Sequence, residues 1–406
     1  MEDVITFGCR LNIYESEVIK GIIRKAGLQD MVVFNTCTVT EEAEHKCLQA
    51  IRKLKREHPH VKVVVTGCAT QMNSEKYMNM PEVDQVVSNK DKLNPNSYIQ
   101  AAPTDLPFEP SSGAVTFENR TRALIQIQNG CNKRCSYCII PYARGNNVSV
   151  PIHTIIEQVR MLTMEGYKEV VLTGINITLY GQDFSIKASI TDMLKALLNA
   201  LPDLARLRLT SLDVADIDEP MLNLMLNEKR LMPHFHLSLQ SCNNEVLRKM
   251  RRRHTCEQVR ELCSTIRKIR PEVAFGADII TGFPTETEAM FKSTCEFLDE
   301  VKIPYLHVFP YSERQGTPAA RLPQIDTQVR RDRARIVREI GQRVLNEFSA
   351  KYVGQTGTIL TEKNNVGRME NFLKVHLHSE QQIEAGQLIP VRVTGYDDQK
   401  LIAVML

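Results

Sequence analysis

The run Cys131-Asn132-Lys133-Arg134-Cys135-Ser136-Tyr137-Cys138 places three cysteines at C-x₃-C-x₂-C spacing. Thiolates are soft ligands that suit iron–sulfur clusters or zinc. A closed structural site takes four ligands, and the next cysteine in the chain is the distant Cys242. Three thiolates on a four-iron cluster leave one iron open to a substrate. Spacings of four and three also fit one face of a helix, so a cysteine-lined helix is the plain alternative. Gly130 before the run, Pro141 after it, and Asn132, Lys133, Arg134 and Ser136 between the cysteines favour a loop.

A βα series surrounds the run. Ala123–Gln128, Glu169–Thr173, Arg206–Ser211, His234–Gln240, Phe275–Thr281 and Tyr305–Pro310 read as strands. Helical patterns separate them, clearest at Thr154–Glu165, Thr191–Leu201, Cys256–Arg270 and Glu288–Val301. Six such units predict a partial (β/α)₆ barrel with its chemistry at the carboxyl ends of the strands. The cysteine run follows the first strand. Polar turns fall at the same edge after later strands: Thr173-Gly174-Ile175-Asn176, Ser238-Leu239-Gln240-Ser241, Asp278 to Pro284, and Arg314-Gln315-Gly316-Thr317. Each alone is ordinary turn chemistry.

Upstream, Val4-Ile5-Thr6-Phe7, Met31-Val32-Val33-Phe34, Val61 to Val65 and Val83 to Val87 read as strands. Asn12 to Leu28 is helical, and Thr40 is a candidate N-cap for the next helix. Short apolar strands separated by helices imply a parallel α/β sheet. Cys9, Cys37 and Cys68 each follow the carboxyl end of one of these strands. Ligands bind at that edge of open sheets, and neighbouring strands lie about 4.8 Å apart. Three thiolates are therefore placed to meet on a second cluster. A free cysteine is often plain core; the threefold repetition is what argues for ligands. Cys47, Cys256, Cys263 and Cys295 sit in helical patterns and read as packing, and His234 and His236 as strand residues.

The reading divides the chain into residues 1–99, a Pro/Ser/Gly-bearing linker at 100–118, the barrel at 119–350, and a short all-β segment at 351–406. Thr327 to Lys351 reads as one long helix. Strands are expected at Gly357–Thr361, Phe372–Leu377, Leu388–Thr394 and Leu401–Leu406, with a turn at Asp397–Lys400. A small β-barrel of that kind commonly binds nucleic acid, sometimes by base stacking; a passive cap is the alternative. The densest positive run, Arg248 to His254, contains Arg251, Arg252 and Arg253. It is a solvated helix end or a contact for RNA phosphate or a substrate carboxylate.

Composition sets wide bounds. Hydrophobic content of 43%, charged content of 24% and a net charge of +3 suit a globular protein and predict no nucleic-acid partner from global charge. No signal peptide and no membrane span are expected. Eleven cysteines, an odd number without a secretion signal, favour the reducing cytoplasm.

The cysteine run, with Tyr137 before its third cysteine, resembles the signature of radical S-adenosylmethionine (SAM) enzymes. The resemblance implies a [4Fe-4S] cluster on Cys131, Cys135 and Cys138, whose open iron binds SAM and whose electron cleaves it to a 5′-deoxyadenosyl radical. It also implies SAM contacts among Tyr137, Thr173, Gly174, Asn176, Ser238, Gln240 and Asp278. The three-part order resembles the methylthiotransferases across essentially the whole chain, their terminal barrel being a TRAM domain. In that family Cys9, Cys37 and Cys68 match the ligands of an auxiliary [4Fe-4S] cluster.

Asn35-Thr36-Cys37-Thr38-Val39-Thr40 with Ala43-Glu44 and Lys46, Cys138 to Gly145, and Phe309 to Arg314 are most similar to the MtaB-type branch, which acts on N6-threonylcarbamoyladenosine in tRNA. The implied reaction uses two SAM molecules per turnover. One methylates sulfur at the auxiliary cluster; the other yields the radical that abstracts hydrogen from carbon 2 of the adenine. The implied partners are the tRNA anticodon loop, a reducing electron donor and a sulfur donor. The other branches act on isopentenyladenosine in tRNA or on an aspartate of a ribosomal protein. A non-catalytic iron–sulfur RNA-binding protein is the alternative outside enzymes. One departure from the family pattern is Cys242, where the family usually has Gly after Leu-Gln-Ser. Gly permits backbone conformations that Cys resists, so altered geometry is expected near Gln240.

Overall fold

Val32, Phe34, Val63 and Val65 pack on Ile51, while Met31, Val33 and Val64 pack on Ile19 and Ile23. Strands this apolar on both faces need helices on both sides. The computed structural model, which describes residues 2–39, 41–99, 120–379, 381–397 and 400–406, has that arrangement. Here β1 (Glu2–Thr6), α1 (Arg10–Lys25), β2 (Met31–Thr36), α2 (Glu41–Glu57), β3 (Lys62–Gly67), α3 (Cys68–Met72), α4 (Ser74–Met78) and β4 (Gln85–Val86) form a parallel sheet ordered β1-β2-β3-β4. The fourth strand is shorter than the expected Val83–Val87, because the Val83 N–H closes a turn onto the Met80 carbonyl at 3.1 Å. The Thr40 cap, the linker at 100–118 and the centre of the Asp397–Lys400 turn lie outside the described residues.

The barrel follows in chain order: β5 (Arg122–Gln126), β6 (Gln128–Asn129), α5 (Ile140–Arg144), β7 (Val148–Ser149), α6 (Ile152–Met164), β8 (Glu169–Thr173), α7 (Ile190–Ala200), β9 (Arg206–Leu209), α8 (Glu219–Asn227), β10 (His234–Gln240), α9 (Asn244–Lys249), α10 (Cys256–Ile269), β11 (Ala274–Thr281), α11 (Glu288–Val301), β12 (Tyr305–Pro310) and α12 (Thr327–Ala350). It forms two parallel halves, β5-β8-β9 and β10-β11-β12. Leu212 joins them: its N–H donates to the His236 carbonyl (2.9 Å) and its carbonyl accepts from the Ser238 N–H (2.8 Å). The two-stranded β6/β7 ribbon carries the cysteine run outside this sheet. One face of the six strands is apolar and packs on the helices. The other is polar, with Glu169 bonded to Arg122 (2.9 Å) and Arg208 (2.8 Å).

A closed barrel of β13 (Thr356–Glu362), β14 (Val366–Arg368), β15 (Lys374–Leu377), β16 (Leu388–Asp397) and β17 (Lys400–Met405) ends the chain, in the order β13-β14-β15-β17-β16. Strand β14 was not legible in the sequence, being three residues with a glycine at its centre. This barrel docks where the six strands begin. Arg206 Nη2 donates to the Thr358 carbonyl (2.7 Å) and Arg122 Nη1 to Glu362 Oε1 (2.7 Å). The Phe372 ring lies under the guanidinium groups of Arg368 (4.4 Å) and Arg208 (4.9 Å). Tyr352 and Tyr396, the other two aromatic Phe/Tyr residues of this segment, bond the Glu272 carbonyl (3.2 Å) and Asn346 Oδ1 (2.9 Å). All three rings turn toward the rest of the protein, so the expected stacking of bases on this barrel finds no support here. No described helix is long and apolar enough to cross a membrane.

Candidate metal centre

Strand register brings the first three cysteines together. Asn35 pairs with Thr66 and Thr36 with Gly67, so Cys37 and Cys68 leave the sheet side by side. The Phe7 N–H donates to the Asn35 carbonyl (2.9 Å), which sets Gly8-Cys9 beside them. Asn12, one helical turn into α1, ties the two exits: its Nδ2 donates to the Phe7 carbonyl (2.7 Å) and the Thr36 carbonyl (3.0 Å). Asn35 Nδ2 returns a bond to the Asn12 carbonyl (3.0 Å). Gly8 has φ +98°, and a Cβ there would sit 2.6 Å from Cys37 Sγ. Only glycine lets the two loops approach this closely. Burial pushes the Cys37 thiol up to about 11, the Val39 N–H opposes it, and the neighbouring Cys9 and Cys68 add to the rise.

The second set sits on a loop, as its sequence suggests. Gly130 has φ +67°, and a Cβ would lie 1.9 Å from the Asn146 carbonyl oxygen, so the loop begins at an obligatory glycine. The Cys131 N–H donates to the Gly145 carbonyl (3.1 Å). Between the cysteines, Ser136 is pinned from three directions: its N–H to the Met250 carbonyl (3.1 Å), its Oγ to the Lys249 carbonyl (2.7 Å), and its carbonyl to the Ala319 N–H (2.8 Å). Burial pushes the Cys138 thiol up to about 12 and raises Cys131 as well, with Cys135 contributing to both. A bound metal reverses this by holding each sulfur as thiolate.

The donor sets suit clusters. Tetrahedral zinc with bonds of about 2.3 Å needs its sulfurs about 3.8 Å apart. Among the described residues, neither cysteine triad has its three sulfurs all within 4.8 Å of one another. Each triad also has a buried arginine for the net negative charge of a thiolate-bound cluster. Arg252 Nη1 points at Cys135 Sγ (3.8 Å) while Nη2 bonds the Ser238 carbonyl (2.6 Å) and approaches Asp213 Oδ1 (3.0 Å). Arg144 lies where the charges of Cys68 and Cys9 act on it. The two triads border one domain junction: α3, which begins at Cys68, packs on α5, which follows Cys138, and Asn89 Nδ2 donates to the Ala143 carbonyl (2.7 Å).

The other expected residues divide. Tyr137 packs with Phe283 and Tyr311 beside the second triad. Thr173, Gly174 and Asn176 line the loop after β8, where a Cβ on Gly174 would be 2.8 Å from Gln128 Oε1. Ser238 is held through its carbonyl by Arg252, and Gln240 adopts φ 71°. Cys242 has no positive φ, so the departure from glycine strains nothing there; it is buried core, and the unusual backbone is at Gln240 itself. Asp278 lies deeper, between His236 Nε2 (3.5 Å) and His307 Nδ1 (3.4 Å). Of the three arginines expected to meet substrate, Arg252 is committed to the cluster side, Arg253 bonds Asp216 (2.9 Å), and Arg251 is exposed.

Four residues escape a reading by motif: Asn12, Gln128, Arg144 and Asp213. Gln128 accepts from the Ile175 (2.9 Å) and Asn176 (3.0 Å) N–H groups and donates to the Gly130 carbonyl (2.6 Å), welding the cysteine loop to the next strand's turn. Asp213 takes Lys133 Nζ (2.9 Å) as well as Arg252. The signals in the sequence were positional: Gln128 and Asp213 stand just beyond strands, Asn12 lies in the helix after Cys9, and Arg144 falls within the stretch Cys138 to Gly145.

Residues 125–298 match the Radical SAM superfamily, and residues 3–88 match the Uncharacterized protein family UPF0004. The chain is 44% identical over 412 residues to a threonylcarbamoyladenosine tRNA methylthiotransferase MtaB from Rickettsia prowazekii, covering 100% of this chain and 97% of that protein. It is 34% identical to the MtaB of Bacillus subtilis (96% and 93% covered). It is 31% identical to a tRNA-2-methylthio-N(6)-dimethylallyladenosine synthase of Roseobacter denitrificans (99% and 98%). Among solved structures, the radical SAM methyltransferase TsrM from Kitasatospora setae superposes with a TM-score of 0.55 at 14% identity, over 79% of this chain and 77% of that one, which shows a shared fold. With one cysteine triad at the strand ends of the first sheet, a second on the barrel's loop after β6, and relatives of this identity over its full length, the chain belongs to the radical SAM tRNA methylthiotransferases, and within them to the MtaB type.

Proposed function

We propose that the protein converts N6-threonylcarbamoyladenosine at tRNA position 37 to its 2-methylthio derivative. One observation carries the reading: the two cysteine triads stand on either side of one packed junction, where α3, which begins at Cys68, meets α5, which follows Cys138. Membership of the radical SAM superfamily brings SAM and a [4Fe-4S] cluster; a second cluster on Cys9, Cys37 and Cys68 is part of the proposal. When bound, these groups supply one-electron cleavage of SAM and the sulfur. The chain's own residues orient and shield. Ser136 and Gln128 fix the loop of Cys131, Cys135 and Cys138; Arg252 donates to Cys135; Asn12 and Gly8 hold the other triad. An adenine must leave its stack to reach the gap, which an anticodon-loop base does at low cost.

The test offers the reduced, reconstituted protein, with SAM and sulfide, three substrates: threonylcarbamoylated tRNA, isopentenylated tRNA and the ribosomal-protein peptide. Methylthiolation of the first is expected, read by nucleoside mass spectrometry; preference for either of the others overturns the assignment. The dimethylallyladenosine synthase relative at 31% identity makes isopentenylated tRNA the second reading to exclude.

A further inference from the structure

A cavity of about 940 Å³ lies where α1, β5 and the terminal barrel meet, and Arg10, Ile13, Arg122, Arg208 and Phe372 are among the residues that line it. Its arginines are under-used. The Arg208 side chain is only 1% exposed; Nε bonds Glu169 (2.8 Å), Nη1 bonds the Glu370 carbonyl (3.1 Å), and Nη2 has no partner. Arg122 spends Nε on Glu169 (2.9 Å) and Nη1 on Glu362 (2.7 Å), and its buried Nη2 is also unmet. Arg10, half-buried beside them, makes no hydrogen bond or close ion pair among the described residues. Leaving buried guanidinium N–H groups unmet is costly, and the cost is recovered when an anion arrives.

Position identifies the anion. Arg10 is the residue after Cys9, so the cavity begins one residue from a ligand of the proposed auxiliary cluster. Glu169 and Glu362 neutralise Arg122 and Arg208 only in part, and Glu165 and Glu384 are the remaining acids on the wall. A phosphodiester would bring two riboses into a space walled by three parts of the protein. A carboxylate at the end of a flexible arm needs no such room.

We infer that Arg10, with the unmet N–H groups of Arg208 and Arg122, forms the subsite for the carboxylate of the threonylcarbamoyl arm, and that this subsite selects the modified base. The inference rests on the substrate reading above. It replaces the basic run at Arg251–Arg253 as the place where the arm is read, and it gives uncharged isopentenyl groups no partner.

The test measures anaerobic binding of one tRNA, with and without the threonylcarbamoyl group, to the wild type, Arg10→Gln and Arg10→Lys at two salt concentrations. The wild type should prefer the modified tRNA by roughly 10-fold or more, the worth of a charge-assisted hydrogen bond. Arg10→Gln should lose that preference and bind unmodified tRNA as before; Arg10→Lys should restore part of it. Equal weakening of both tRNAs by Arg10→Gln, with a shallower salt dependence, means that Arg10 meets RNA phosphate and overturns the subsite. Iron content is measured alongside, because Arg10 adjoins Cys9. If Arg10→Gln loses iron, Arg208→Lys, away from both triads, must show the same selective loss or the subsite is wrong. A wild type that binds both tRNAs alike also overturns it, while the substrate panel above still judges the function independently.

Discussion

Arg144 grips Glu15 with both arms of its guanidinium: Nη1 lies 2.7 Å from Oε1 and Nη2 3.0 Å from Oε2, and both side chains are 1% exposed. Arg144 ends the helix that follows Cys138, and Glu15 lies in the helix that follows Cys9. The pair therefore locks the two proposed cluster sites to each other. Lys92 Nζ, 2.5 Å from Glu15 Oε2, completes a buried triad.

Glu15→Gln should destabilise the junction by about 3–5 kcal/mol at neutral pH, since two buried cations lose their counter-charge. Burial pushes the Glu15 carboxyl up, but Arg144 and Lys92 outweigh it and hold it at about 2. Its folded pKa is thus below its unfolded value of about 4.3. The stabilisation is complete above that value and is lost as pH falls toward 2. Urea unfolding of wild type and variant should differ most at pH 7, with the gap narrowing below about pH 4.3 and closing only toward pH 2; a gap that does not change with pH counts against this account.

Replacing Cys9, Cys37 and Cys68 together with Ala should remove about half of the iron, on a two-cluster count, and abolish sulfur insertion. Reductive cleavage of SAM should persist. Replacing Cys131, Cys135 and Cys138 should abolish both. Loss of SAM cleavage in the first variant, with the barrel still folded by circular dichroism, would show that the clusters do not bind independently.

Gly8→Ala tests the close approach itself. The new methyl would meet Cys37 Sγ at 2.6 Å in a backbone at φ +98°. The expected outcome is a folded protein whose iron falls toward that of the first triple variant, with SAM cleavage near wild type. Wild-type iron content in Gly8→Ala would mean that Cys37 does not need this geometry to hold metal.

Arg252 donates to Cys135 Sγ, and hydrogen bonds to cluster sulfurs raise reduction potentials. Arg252→Gln should therefore shift the potential of the cluster on Cys131, Cys135 and Cys138 to a more negative value and slow SAM cleavage with a weak reductant. An unchanged potential by anaerobic titration would assign Arg252 to holding Asp213 and the Ser238 carbonyl only.

Much was legible in the sequence because the constraints there are local. A cysteine run at fixed spacing reports ligand chemistry directly, and apolar runs of four to eight residues between helical patterns fix a βα order. The expected strand Tyr305–Pro310 and helix Glu288–Val301 match β12 and α11 residue for residue. Short elements such as β14 and β4 were lost or mis-sized because two or three residues carry too little periodicity.

By itself, the sequence determined that Cys9, Cys37 and Cys68 stand at equivalent strand ends, that Cys131, Cys135 and Cys138 share a loop, and that a small barrel ends the chain. Only the tertiary structure decided which polar residues serve them. Glu15 and Arg144 are 129 residues apart, Arg252 and Cys135 are 117 apart, and Arg122 and Glu362 are 240 apart. No spacing rule connects such pairs, because their contact depends on how sheets register and domains dock. The arginine run at Arg251–Arg253 shows the consequence: adjacent in sequence, its members turn to solvent, to Cys135 and to Asp216. Arg10, one residue past a cysteine and unremarked in the sequence, has no hydrogen bond among the described residues and lines the cavity beside Arg122 and Arg208.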